Sequence, residues 1–218
     1  MTSALVACVM LAGTTVYAAK PWDHGVAGVG RISISGGWKS TPNDFFFKQS
    51  GEQGYATVSR GLGGGQGTAS FGFGAISWLE VSIDLFIGND RFEIGGFQPI
   101  NVLTYGALIG VRATKMDLFF PGFAPYIGVG IGPTLGYVFT GVDGETYERL
   151  VTGIAASAGL SYRFNDYFGM LLEYRFLYAR GVWVTSGVNI GGSFVSLGAV
   201  IYFPRTVPST SSGMLGSL

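Results

Sequence analysis

Seven charged side chains stand where an alternating pattern turns them to one side: Arg31, Glu80, Asp84, Arg112, Arg163, Glu173 and Arg175. Four are cations and three are anions, so the set nearly balances. Two kinds of chemistry fit it. Gathered at low dielectric, opposite charges pair, because an unpaired buried charge is costly, and the group becomes a salt-bridged plug. Spread along a passage, the same groups line a polar path for small solutes. Glu173 and Arg175, at i and i+2, share one face of a strand and form the expected middle of the set.

Other chemistry is poorly supplied. General acid–base catalysis most often uses a histidine. The sole histidine, His24, precedes the first regular segment, with no Ser, Asp or Glu placed beside it by the pattern. One histidine and one cysteine, Cys8, make a poor metal set. Gly63-Gly64-Gly65 is not followed by Gly-Lys-Ser/Thr, so it is not a phosphate loop. The expectation is a protein without cofactor or metal, and not an enzyme. Formal net charge is zero, which removes the basic surplus of a nucleic-acid binder.

The elements that must carry the seven charges follow from composition and rhythm. Charged residues make up only 12% of the chain, aromatic residues reach 15%, and Gly occurs 37 times. Ordinary globular chains carry about 25% charge. The uncharged stretch from Leu118 to Val142 has the length of a membrane helix, which needs about 20 apolar residues. It also holds Pro121, Pro125 and Pro133, and Pro costs about 3 kcal/mol in a helix interior. Gly128, Gly130 and Gly132 alternate with Ile127, Val129 and Ile131, a period of two that puts the glycines on one face of a strand.

The same rhythm recurs. Ile32, Ile34 and Trp38 alternate with Arg31, Ser33 and Ser35. Phe71 and Phe73 alternate with Ser70 and Gly72, and Val81, Ile83, Leu85 and Ile87 with Glu80, Ser82, Asp84 and Phe86. Tyr105, Ile109 and Val111 alternate with Gly106, Gly110 and Arg112; Ile154, Ala156 and Leu160 with Ser157, Gly159 and Arg163. Met170, Leu172, Tyr174 and Phe176 alternate with Gly169, Glu173 and Arg175, and Val195, Leu197, Ala199 and Ile201 with Ser196, Gly198 and Tyr202.

With the Gly/Ile strand this predicts an all-β chain, an eight-stranded antiparallel up-and-down transmembrane β-barrel. Lipid leaves no backbone polar group unpaired, so the sheet must close. Short periplasmic links are expected at Trp78-Leu79, Thr114–Phe123 and 165–167, and longer outward loops at about 39–66, 88–99, 138–150 and 179–192. Glu80 and Asp84 then lie toward the periplasmic side, within reach of Arg112. Aromatic rings favour the headgroup zone, which predicts a girdle of Trp38, Trp78, Tyr105, Tyr126, Tyr167, Tyr174, Tyr178 and Trp183. Phe45-Phe46-Phe47, in the first outer loop, is expected to pack on the rim.

Residues 1–18 read as a secretory signal peptide, with an apolar run from Ala4 to Ala12 and small or permitted residues at Val16-Tyr17-Ala18, although no Lys or Arg precedes the run. Cys8 lies inside it. The barrel is expected over 19–203, with a disordered tail over 204–218.

Four segments resemble the OmpA/OmpX/OmpW-like superfamily of small outer-membrane barrels: Ser77–Val81, Pro125–Gly132, Phe168-Gly169 through Glu173–Phe176, and Ser196–Phe203. The resemblance implies an outer membrane of a Gram-negative bacterium, with its lipids and the barrel-assembly machinery as partners. It also implies that Leu197, Ala199, Ile201 and Phe203 form the terminal strand signal. That signal usually ends the chain in the superfamily; here Pro204–Leu218 follow it. Two functions are expected: a passive conduit for small, even apolar, solutes, or a structural or surface-interaction barrel acting through its outer loops over a plugged lumen. Ligand and oligomeric state stay open.

Overall fold

The structure, a computed structural model, describes residues 25–41, 58–94, 100–139, 146–183 and 186–203. The expected signal peptide and tail, His24, Cys8 and Phe45–Phe47 lie outside the described residues. The strands are β1 (Gly30–Ser40), β2 (Val58–Gly61), β3 (Gly64–Ile76), β4 (Leu79–Ile94), β5 (Ile100–Thr114), β6 (Phe123–Phe139), β7 (Thr146–Arg163), β8 (Phe168–Tyr178), β9 (Arg180–Trp183), β10 (Ser186–Asn189) and β11 (Gly192–Phe203).

Eight of these make the wall. Each is antiparallel to its neighbours, in the order β3-β1-β11-β8-β7-β6-β5-β4, and β4 pairs back onto β3 to close the ring. The short β2 continues β3 along β4 after a break at Leu62-Gly63, where Gly63 takes a positive φ of 69°. The β9–β10 hairpin stands beyond the ends of β8 and β11. No helix among the described residues is long and apolar enough to cross a membrane; the strands are the elements of the right length to do so.

Alternation along each strand divides the residues between wall and interior. In β8 the odd and even positions switch between exposed and buried along almost the whole strand. Ile83, Ile109, Ile131 and Ile154 lie side by side on four consecutive strands, all facing outward, with Ile109 64% exposed. Water would not tolerate an apolar belt of this extent on a monomer; lipid does.

Three turns lie at one end: 77–78, 115–122 and 164–167. The first, Ser77-Trp78, falls where a short link near Trp78-Leu79 is expected; Leu79 already pairs with Ala113. The longest turn is tied down by its own residues. Asp117 (φ 53°) accepts a 2.5 Å hydrogen bond from the Gly122 amide, and the Arg163 amide donates to the Gly122 carbonyl at 2.8 Å. Gly122 itself has φ 85°, a conformation that glycine adopts without a Cβ penalty.

At the loop end the strands run further than the sequence suggests. β4 continues through Gly88, Asn89 and Asp90, which composition reads as a turn, because their backbones pair with Thr104, Leu103 and Val102. β3 starts at Gly64, β5 at Ile100 and β7 at Thr146, and part of the expected 179–192 loop is the β9–β10 hairpin. Ladder formation overrides the local turn preference of Asn and Asp.

Ile109 sits in the middle of the outward isoleucine row. Ile109→Arg is expected to destabilise the folded barrel by about 2–4 kcal/mol, the cost of a cation near the bilayer midplane. Reversible urea unfolding from phospholipid vesicles measures it; a loss below about 0.5 kcal/mol would mean that this face does not meet lipid.

Candidate functional site

One strand spells out the interior. The inward residues of β4 are Glu80, Ser82, Asp84, Phe86, Gly88 and Asp90, all buried. Successive members stand about 6.7 Å apart along the strand, so each enters a different level of the lumen. Glu80 and Asp84 belong to a charged level, Phe86 to an apolar one, and Asp90 to a polar level at the loop end.

The charged level is a chain of shared ions. Glu80 receives Arg31 from β1 at 2.8 Å and Arg112 from β5 at 3.2 Å. Asp84 receives Arg112 at 2.6 Å and Arg175 from β8 at 3.0 Å. Glu173 is held by Arg175 at 2.8 Å, with Arg112 at 3.9 Å. Tyr126 of β6 completes the group. Its hydroxyl donates to Glu173 at 2.7 Å, and the guanidinium carbons of Arg31 and Arg112 each lie 5.6 Å from its ring centre, a cation–π arrangement. Strands on both sides of the lumen are thereby joined through it.

Of the seven charges that strand parity turns inward, six meet here. Arg163 is buried but stands apart at the turn end, 3.9 Å from Asp117. Around it the end is filled by Val29, Leu171, Val200 and Tyr202.

Above the charges lies the apolar level: Phe86, Leu108, Leu177 and Phe194, with Val102, Ala155, Ala179 and Ile190. Phe86 and Phe194 meet edge to face at 6.2 Å. The polar level at the loop end is built on Lys39, which is 0% exposed and pairs with Asp90 at 2.6 Å. Neither residue stands out in sequence, since both fall where loops are expected. Parity does reach them: Lys39 is an even step from Arg31 and Ser35, and Asp90 from Asp84.

Four glycines of the wall mark space that a long neighbour takes. A Cβ at Gly128 would stand 2.9 Å from Arg112 Cγ, and one at Gly106 would stand 3.0 Å from the Phe86 ring. At Gly159 it would strike the Tyr126 ring, and at Gly72 the Glu80 carboxylate. Each missing side chain is the space that a long neighbour fills. Among the described residues no three His, Cys, Asp or Glu side chains are grouped to hold a metal.

No family model matches this chain, and no curated protein matches it. Solved structures do. The outer membrane protein OprG from Pseudomonas aeruginosa superposes with a TM-score of 0.59 at 15% identity, over 84% of this chain and 99% of that one. Neisserial surface protein A gives a TM-score of 0.54 at 16% identity, over 81% and 98%. The chain has the fold of the small outer-membrane β-barrels.

An outer-membrane barrel carries rings of aromatic side chains where its wall meets the headgroups. Trp78 and Tyr167 are exposed at the turn end; Trp38 and Tyr178 are exposed near the loop ends of their strands. Tyr174 faces outward too, its hydroxyl 3.0 Å from Ser193 Oγ, and Tyr105 stacks on Tyr137. The side chain of Trp183 lies outside the described set. Tyr126 is a correction: it points into the barrel. It shares parity with Gly128, Gly130 and Gly132, and its ring occupies the space that Gly159 leaves. Leu197, Ala199, Ile201 and Phe203 face outward on β11, which pairs with β1 and β8 to close the wall.

Asp84→Asn leaves two buried guanidiniums short of charge. It is expected to cost about 3–5 kcal/mol, the scale for breaking a buried ion pair from one side. Tyr126→Phe keeps the ring and loses one bond to a carboxylate, for about 1.5–3 kcal/mol. Urea titration of both variants in vesicles gives the ordering; Tyr126→Phe costing as much as Asp84→Asn would contradict it.

Proposed function

We propose that this protein is secreted to the outer membrane of a Gram-negative bacterium and works there as a structural or surface-interaction barrel through its loop end, with its lumen closed. The observation that carries this reading is Asp84, which binds guanidiniums from β5 and β8 at once, so that ion pairs cross the lumen. An eight-stranded barrel has an interior just wide enough for side chains. Here they form successive levels: charged, apolar, then polar. The reading assigns no catalytic step to the lumen, because each carboxylate of the charged level has a guanidinium partner.

One observation favours a second reading, a conduit for small apolar solutes. The β5–β6 register passes from Gly106↔Thr134 directly to Ile109↔Ile131, so the pairing lapses opposite Gly132 and Pro133. Proline has no N–H to donate. Leu108, of the apolar level, lies behind this interval. The strands still touch, since a Cβ on Gly132 would run into the Ala107 carbonyl. The break is in the hydrogen bonding of the two strands.

Planar bilayers test the first reading. Barrels of proven fold are expected to be silent to ions, and steady discrete openings would overturn it. Uptake of an apolar dye into proteoliposomes tests the second. Uptake that Pro133→Val reduces would support a conduit, and uptake equal to that of empty vesicles would remove it.

A further inference from the structure

We propose that the lumen carries a second seal at its loop end: a strap of backbone at Asn189–Gly191, latched by Lys39 and Asp90, that closes the mouth independently of the charged level. The proposal rests on the plugged-lumen reading and adds a separate closure in series with it.

The strap is seen in where its carbonyls go. The Ile190 carbonyl accepts hydrogen bonds from Lys39 Nζ of β1 at 3.0 Å and from Thr104 Oγ1 of β5 at 2.9 Å. Two strands, β3 and β4, separate β1 from β5 on one side of the ring and four on the other. A single peptide group thus receives donors from widely separated parts of the wall, which requires it to lie across the mouth. The Gly191 carbonyl is likewise bound by Thr41 Oγ1 at 2.6 Å, and that oxygen also lies 2.7 Å from Asp90. The Ile190 side chain points down into the apolar level.

Local features hold the bend. Asn189 Oδ1 accepts from the amides of Ala179 at 3.0 Å and Gly191 at 2.9 Å, and the Ile190 amide donates to the Ala179 carbonyl at 2.9 Å. A Cβ on Gly191 would collide with the Leu177 carbonyl, and one on Gly192, at φ 140°, would meet Thr41 Oγ1 and the Ser40 carbonyl. This pair of glycines is what lets the chain fold inward.

Lys39 is the latch. An ammonium has three donors. Lys39 has three partners, namely Asp90 at 2.6 Å, Thr104 at 3.0 Å and the Ile190 carbonyl at 3.0 Å. A lysine buried this completely is expensive to desolvate. Its partners are two wall strands and the strap, so its saturation depends on the strap being in place. The Lys39 ammonium lies 5.8 Å from the Phe194 ring centre, which sets the latch directly on top of the apolar level.

Thiol accessibility reads the seal without requiring a pore. Leu108 is buried, faces inward and belongs to the apolar level, further from the loop end along β5 than Thr104, which binds the strap. In Leu108→Cys barrels, with Cys8 absent or replaced, a charged methanethiosulfonate reagent is added from the loop side in proteoliposomes. With the native latch the cysteine is expected to react slowly. Adding Lys39→Met with Asp90→Asn, which removes both charges together, is expected to raise the rate about tenfold or more as the strap opens locally. Ion conductance should stay silent, because the charged level is untouched. Thr41→Val, which keeps the Lys39–Asp90 pair, should give a smaller rise and serves if the double variant does not fold. Fast labelling with the native latch, or no rise in any folded latch variant, overturns the strap. Conductance in native barrels overturns the plugged-lumen reading. Conductance appearing only in the latch variant leaves the strap as a seal and shows that the charged level is not one.

Discussion

Closure of the sheet is the constraint from which the rest follows. In lipid each unpaired peptide group costs several kcal/mol, and a strand on its own leaves half of its groups unpaired. The ring of eight strands satisfies them by having no edge. It also forces a second problem, because every strand then has one face turned to a narrow enclosed space. Outward residues need only be apolar. Inward residues must complement one another, level by level, across an interior about as wide as side chains are long.

The interior meets this demand by matching absence with size. Arginine, phenylalanine and tyrosine side chains extend across the lumen only because glycine stands where they arrive: Gly128 beneath Arg112, Gly106 beside Phe86, Gly159 under Tyr126. The ion pairs behave similarly. Arg112 touches Glu80, Asp84 and Ser70, so one cation settles several acceptors on neighbouring strands. Such a network is weak evidence for net stability, since burying its charges costs much of what pairing returns. Its firmer consequence is geometric, because Asp84 ties β4 to β5 and β8 at once.

Much of this was legible in sequence, and the limit is physical. A period of two is a local property, so the strands, their outward faces and the inward set from Arg31 to Arg175 can be read directly. Tyr126 was also within reach, since it shares parity with the glycines that follow it; its aromatic character suggested the girdle instead. Lys39 and Asp90 were obscured by neighbouring residues with turn preferences, which the ladder overrode. The strap could not be read at all. Nothing in the spacing of Asn189, Ile190 and Gly191 reveals that β1 and β5 stand where both can reach the same carbonyl.

β4 has a consequence for assembly. Its inward face carries a different chemistry at each level, from Glu80 through Phe86 to Asp90. Sliding this strand by two residues would preserve the alternation and keep Val81, Ile83, Leu85 and Ile87 turned outward. Slid toward the turn end, it would set Phe86 among guanidiniums; slid toward the loop end, it would bring Asp84 to the aromatic level. The outer surface cannot detect that slip, but the interior can, and strongly. The register of this strand is therefore specified from inside the ring, by a face that lipid never meets.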